Sequence, residues 1–277
     1  MLTAGPSLIA SGVARRSLLA GIGSLVALPA IASPPGIGPE AWVAYEARLR
    51  ARLVDAGGGR FDAIAERRLL DLTNAARVSN GAGACGWSEE LALTARAHAA
   101  DLADRGYIEH LTPEGFDPTH RIGVLARRMI GSASENIAYR QASSPASAQE
   151  LMGIWRGSER HWVNLLAPAH DHVGFGVAIR GDRTYCVGLY AHPDGELAAP
   201  LPFKINTVAA LSNVLDRGSQ HIESFSFTDP LDEAARLAVG QDAAATGLTP
   251  GVYQVRPRMR VDARRYQILW GPIFVRV

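Results

Sequence analysis

Val173-Gly174-Phe175-Gly176-Val177-Ala178-Ile179 sets a large apolar residue at every second position and glycine or alanine between them. This period of two is the signature of a strand. One of its faces is bulky enough for a core, and the Gly/Ala face is shallow enough for a helix to lie close against it. Arg180-Gly181-Asp182-Arg183 follows as a turn and Thr184 to Tyr190 as the partner strand, which makes a β-hairpin. The chain before this hairpin reads as helical. Helices first and a hairpin afterwards indicate an α+β fold and not a βαβ winding.

Glu40 to Val54 carries Trp42, Tyr45, Leu49 and Leu53 near the helical period, and Gly57-Gly58-Gly59 stops it. The next helix spans about Asp62 to Val78, with Phe61, Ala65, Leu69, Leu72 and Ala76 on one face and Glu66, Arg67 and Arg68 expected mostly elsewhere. Ser88 is a suitable N-cap for a helix whose Leu91, Ala95, His98 and Leu102 share a face, so His98 is expected to be a core histidine. Further helices are expected over Thr119 to Met129 and from Ser144-Pro145, with the proline at the first helical position, through Trp155.

Beyond His192-Pro193-Asp194-Gly195 the pattern changes. A strand is expected at Ser224–Thr228, a helix from Asp229-Pro230, and short strands at Val252–Val255, Met259–Val261, Tyr266–Leu269 and Ile273–Val277. Arg256, Arg258 and Arg260 alternate, which suggests a solvated edge that resists aggregation ahead of a site for an anionic polymer. This part reads as a small β-rich extension packed on the first domain. The expected organisation is 1–32, 33–60 (linker and N-terminal helix), 61–196 and 197–277.

The 277 residues are 47% apolar with a net charge of +1. The balance gives no field that would draw nucleic acid. Arg15-Arg16 precede a short apolar run, Ala20 to Ile31, that ends in Ala30-Ile31-Ala32. Such a run falls short of the roughly 20 residues of a membrane-spanning helix and reads as a twin-arginine-like signal peptide over 1–32. The expected location is therefore periplasmic or extracellular, with no stable transmembrane span in the mature chain. Two cysteines exclude a Cys-based zinc module. In an oxidising compartment Cys85 and Cys186 are candidates for one bridge.

The stretch from Leu70 to Tyr190 resembles the CAP superfamily (SCP/TAPS, pathogenesis-related-1-like) in its short bacterial form. The pieces that carry the resemblance are Leu72-Thr-Asn74-Ala-Ala-Arg77, Gly86-Trp87-Ser88-Glu-Glu-Leu91, Ala95 to Leu102 and Glu109-His110 with Gly115. They continue with Glu135-Asn136-Ile137-Ala138, Trp155 to Leu166, and Val173-Gly174-Phe175-Gly176. The resemblance implies an α-β-α sandwich and a groove lined by His110, Glu135 and His161. Larger members add a second glutamate, whose matching position here is Ser158.

Two imidazoles suit Zn²⁺ or another divalent ion, with Mg²⁺ and Ca²⁺ as further candidates, so His110 and His161 are candidate metal ligands. His–Glu pairs serve equally as acid and base. There is no H-E-x-x-H helix and no G-x-S-x-G elbow. Ser158, three residues before His161, shares a helical face with it if one helix continues. His170-Asp171-His172 is one further cluster, read first as a solvated turn and second as an addition to a metal site. Three functions follow from these readings: binding of a lipid, cell-envelope component or divalent cation; metal-assisted hydrolysis of peptide or envelope material; or a non-catalytic interaction module. Deletion of residues 200–277 is expected to leave the groove intact.

Overall fold

The computed structural model describes residues 38–55, 58–207, 211, 214–215, 222–231 and 248–277. The expected signal peptide and the helix expected after Pro230 lie outside the described residues.

Each helix starts where the sequence offers a cap. α1 (Pro39–Arg52) has proline in its first turn, and α2 (Ala63–Ser79) is capped by Asp62, whose carboxylate accepts from the Ala65 N–H at 2.8 Å. After the short β1 (Gly86–Trp87), α3 (Glu89–Arg105) is capped by Ser88 and ends at Gly106 in the left-handed conformation, φ 70°. α4 (Pro118–Leu125) begins with a capping box between Asp117 and His120. β2 (Met129–Ile130) and β3 (Ala133–Gln141) follow. α5 (Ala148–Arg156) starts later than expected, because Ser147 and Glu150 form an S-x-x-E capping box that takes precedence over Pro145. A new helix, α6 (Glu159–Leu166), then begins with Ser158 as its N-cap, so the stretch from Trp155 to His161 is not one continuous helix.

β4 (His172–Arg180) and β5 (Arg183–Ala191) form the expected hairpin, turning at Gly181 with φ 61°. The main sheet runs β1-β4-β5-β3, with β3 antiparallel to β5 in the register Glu135 to Leu189. One face carries Val173, Phe175, Cys186 and Tyr190, packed with residues of α2 and α5 such as Leu69 and Trp155. The other carries Ile137, Val187 and Leu189 against Leu91, Ala95 and Leu102 of α3. The close helix approach expected of the Gly face is met: a Cβ on Gly174 or Gly176 would lie 2.1 or 2.2 Å from the backbone nitrogen of Ala92 or Arg96. The core is thus an α-β-α sandwich.

The remaining strands are β6 (Gly195–Glu196), which pairs with β2, β7 (Lys204–Ile205), β8 (Ile222–Thr228), β9 (Gly251–Arg260), β10 (Tyr266–Ile268) and β11 (Ile273–Arg276). The last five form a second sheet, β10-β9-β11-β7 with β8 also on β9. Two of the expected strands therefore merge into β9. Because β9 has neighbours on both sides, its arginines do not form one solvated edge: Arg260 is exposed, but Arg256 is 3% exposed, lies 4.0 Å from the Trp270 ring and donates to Leu269 O. The extension grips α4. Arg127 donates to Gly123 O, Leu201 O and Ile273 O, and a Cβ on Gly123 would meet Ile273 Cδ1 at 2.8 Å. Trp42, Tyr45 and Leu49 of α1 complete this contact, with Phe116 stacked on Tyr45 at 3.8 Å.

Cys85 and Cys186 are both free and buried, which overturns the expected bridge. Gly86 pairs with His172 at the start of β4, whereas Cys186 pairs with Val177. That offset of several residues is roughly 15–20 Å along the sheet, well past disulfide reach.

Candidate functional site

Glu135 lies on β3, an edge strand of the main sheet, with its side chain turned toward α3 and α4. Only 2% of that side chain is exposed. A buried carboxylate needs a charge partner, and Arg121 of α4 supplies it: Nη2 donates to Oε1 at 3.1 Å and Oε2 at 3.0 Å, and also to the carbonyl of His110 at 2.8 Å. His110, in the loop between α3 and α4, places Nδ1 2.7 Å from Glu135 Oε1 while its own side chain is 53% exposed. With the carboxylate accepting the Nδ1–H, the Nε2 lone pair is left as the free nitrogen of the ring. Burial pushes the Glu135 carboxyl up, but Arg121, His98 and His110 together pull it down to about 2. Glu135 is therefore an anion at neutral pH and anchors His110; it has no proton to give.

His98 is the core histidine expected, 0% exposed, with Nε2 3.2 Å from Glu109 O and 3.9 Å from Glu135 Oε1. Burial, then the Arg121 charge, lowers it to about 3, so it stays neutral.

His161 comes from the opposite layer. Its backbone carbonyl accepts from Asn136 Nδ2 at 2.9 Å, and Asn136 Oδ1 accepts from Asn164 Nδ2 at 2.9 Å. Its Nδ1 has no hydrogen-bond partner. Burial and, after it, the nearby His110 hold its pKa below that of a free imidazole. Alternation along β3 explains the convergence: Glu135 faces the α3/α4 layer, and its neighbour Asn136 faces the other, where α6 lies.

The other expectations fare unevenly. Ser158 makes no side-chain capping bond, and His161 Nδ1 is unpartnered, so no dyad forms through that nitrogen. A serine does touch a histidine at Ser134 Oγ and His170 Nε2, 3.2 Å apart. Asn164 Oδ1 approaches the same Nε2 at 3.4 Å, and among the described residues no side chain is hydrogen-bonded to Nδ1 to orient that ring as a nucleophilic triad requires. Asp171 accepts from His172 Nδ1 at 2.7 Å and from His192 Nδ1 at 2.6 Å at the surface, apart from Glu135. Among the described residues no group of three or more His, Cys, Asp or Glu could hold a metal ion. Both oxygens of Glu135 are committed to Arg121 and His110, which leaves no carboxylate for Mg²⁺ or Ca²⁺. Two imidazoles remain, a partial set that suits Zn²⁺ better. A cleft of about 270 Å³ lined by Trp87, Glu89, Glu90, Arg128 and His172 opens elsewhere and includes none of the three site residues.

Sequence reading missed Arg121, Asn136 and Asn164 as positioning groups. The available signal was Arg121 itself, a charge beside Ile122-Gly123-Val124-Leu125 in a short apolar helix.

The family model described as CAP, cysteine-rich secretory protein family, matches residues 70–190. The chain is 32% identical over 119 residues to the uncharacterized protein YkwD of Bacillus subtilis, covering 42% of this chain and 43% of that one. It is 29% identical over 153 residues to the uncharacterized membrane protein YlbC of the same organism, covering 51% and 40%. The chain thus spans about two fifths of the length of the curated relatives it matches. Similar solved structures include an outer surface protein of Borrelia burgdorferi (16% identity, TM-score 0.44, 50% of this chain and 100% of that one). Another is an extracellular SCP-domain protein of Bacillus anthracis (25% identity, TM-score 0.38, 46% and 40%).

Proposed function

We propose, from the premise that residues 70–190 belong to the CAP family, that this chain is an exported protein which binds a cell-envelope ligand through His110 and His161, with Glu135 holding His110 in place. One observation carries the reading. An exposed imidazole, His110, is fixed at 2.7 Å to a carboxylate that is itself buried and clamped by Arg121. Holding a surface histidine this way costs desolvation that a mere solubilising residue does not require. His161, a partly exposed imidazole from the opposite layer, is the second polar group offered to a guest. Arg15-Arg16 and the apolar run after them support export.

Native mass spectrometry of the protein incubated with envelope extract tests the binding. A retained ligand is expected, lost in both His110→Ala and His161→Ala. Multiple-turnover hydrolysis that disappears in the same two variants would replace binding by catalysis. A stoichiometric zinc ion whose removal by chelator abolishes that turnover would make it metal-assisted.

A further inference from the structure

The two edges of the main sheet are finished differently. On the β4 side the outward groups are used. Asp171 O accepts from Gly86 N and Val173 O from Ser88 N; Val177 O accepts from Asp62 N, and Ile179 N donates to Arg60 O. The Val177 N–H donates to Glu66 Oε1 at 3.1 Å. Odd-numbered residues of β4 therefore point their main-chain groups away from β5, and even-numbered ones toward it.

Strand alternation carries this parity across the sheet. Even residues of β4 pair with Leu189, Val187 and Tyr185, which leaves Gly188 and Cys186 to bond β3. Their partners on β3 are Asn136 and Ala138. It follows that Glu135, Ile137 and Tyr139 turn their N–H and C=O groups off the sheet. None of the three has a backbone partner outside its ladder among the described residues. Glu135 confirms the direction: its side chain is 2% exposed, yet the residue as a whole is partly exposed, so the exposure belongs to its main chain.

We propose that this free edge binds an extended peptide as an added strand, pairing with the main chain of Glu135, Ile137 and Tyr139. The inference deepens the reading of the histidine site, on which it rests only for placing the peptide beside His110 and His161. The donor and acceptor at each of these residues recur every second residue, about 6.7 Å apart. A peptide backbone matches that repeat along its whole length, as in β-augmentation. An acyl chain has no groups to match it, and sugar hydroxyls do not repeat on one side at that spacing.

The test passes blocked hexapeptides of randomised sequence over the full chain. Retained peptides are then resynthesised with N-methyl groups at residues 1, 3 and 5 or at 2, 4 and 6. One methylated form is expected to bind within about twofold of its parent and the other at least about tenfold more weakly, since only one side of the peptide faces β3. Hydrogen exchange of the Glu135, Ile137 and Tyr139 amides is expected to slow about tenfold with peptide, with Asn136 and Ala138 unchanged. Equal loss in both methylated forms, protection elsewhere, or no retained peptide overturns the proposal. Concentration-dependent protection of the same amides without peptide also overturns it, since a second copy would then be the occupant. If a His110→Ala/His161→Ala double variant still binds peptide with the same three amides protected, the edge pairing stands and the histidine centre falls.

Discussion

Glu66 and Glu135 are two buried carboxylates at opposite edges of one sheet, and they do different things. Glu66 of α2 is 0% exposed and takes Arg96 Nε at 3.0 and 3.1 Å and Nη2 at 2.6 Å. Its remaining acceptor capacity goes to the Val177 N–H, so it joins α2 to α3 around the β4 edge and closes that edge. Glu135 has the same kind of arginine clamp, but its further hydrogen bond goes to His110, which is exposed, and among the described residues the β3 edge beside it takes no backbone partner. Burial and an arginine partner are therefore common to a structural glutamate and a candidate functional one. What separates them is whether the last hydrogen bond turns back into the backbone or out to solvent.

The contrast breaks first at Glu66. Glu66→Ala is expected to lower stability by about 3–5 kcal/mol, because it strands a half-buried guanidinium and a main-chain donor. Val177→Pro, which removes the same hydrogen bond from the other side, is expected to lower it by about 3 kcal/mol. Chemical denaturation measures both, and losses below about 1 kcal/mol would mean the β4 edge is not closed by this contact.

A smaller effect is expected at Glu135. Glu135→Gln keeps the shape and loses the charge opposite Arg121, for about 2–3 kcal/mol. Unlike Glu66→Ala, it should also lower ligand retention, which a titration against the envelope ligand would resolve. Equal retention in the two variants would remove the distinction between the two carboxylates.

The pH dependence sharpens the same comparison. His98, beside Glu135, has its folded pKa held at about 3 against an ordinary 6.5. Below pH 6.5 the unfolded chain takes up a proton that the folded one refuses, so stability falls as the pH drops toward 3. The slope is at most about 1.4 kcal/mol per pH unit. Glu135, lowered from 4.5 to about 2, adds its loss only below pH 4.5. Between pH 6.5 and 4.5, His98→Gln should therefore flatten the curve of denaturation midpoint against pH. An unchanged slope in that variant would show that other groups set the acid limb.

The smallest effect is expected at Ala133→Pro. Ala133 has the same outward parity as Glu135, so its N–H is not used by β5. Proline there should cost under about 1 kcal/mol, against the larger loss at Val177. Similar losses at the two edges would show that the β3 edge is covered.

Much of the fold was legible in the sequence because it rests on local rules. The alternation from Val173 to Ile179 encoded a strand with one shallow face, and the structure sets α3 against Gly174 and Gly176. Ser88 and Asp62 cap the helices they precede. Local rules failed where competing local signals met, as at Pro145 against Ser147. They also failed where position in the sheet decided burial. Arg256 and Glu66 look like surface residues by periodicity, and both are buried because other strands or an edge contact enclose them. The extension was expected to be separable from the groove. Local reading did not show that Ile273 of the extension packs on Gly123, two residues after Arg121 in the helix that clamps Glu135.

The sequence by itself determined the element types and the set of residues with the chemistry for a site, because hydrophobic period, caps and titratable side chains are properties of short stretches. Tertiary structure alone decided which of those residues meet. His110 and His161 stand fifty-one positions apart and belong to opposite layers. Both are tied to one edge strand, whose successive side chains, Glu135 and Asn136, point to opposite faces and bond one histidine each. The free cysteines follow the same logic, since sheet register and not sequence spacing fixes the distance between them.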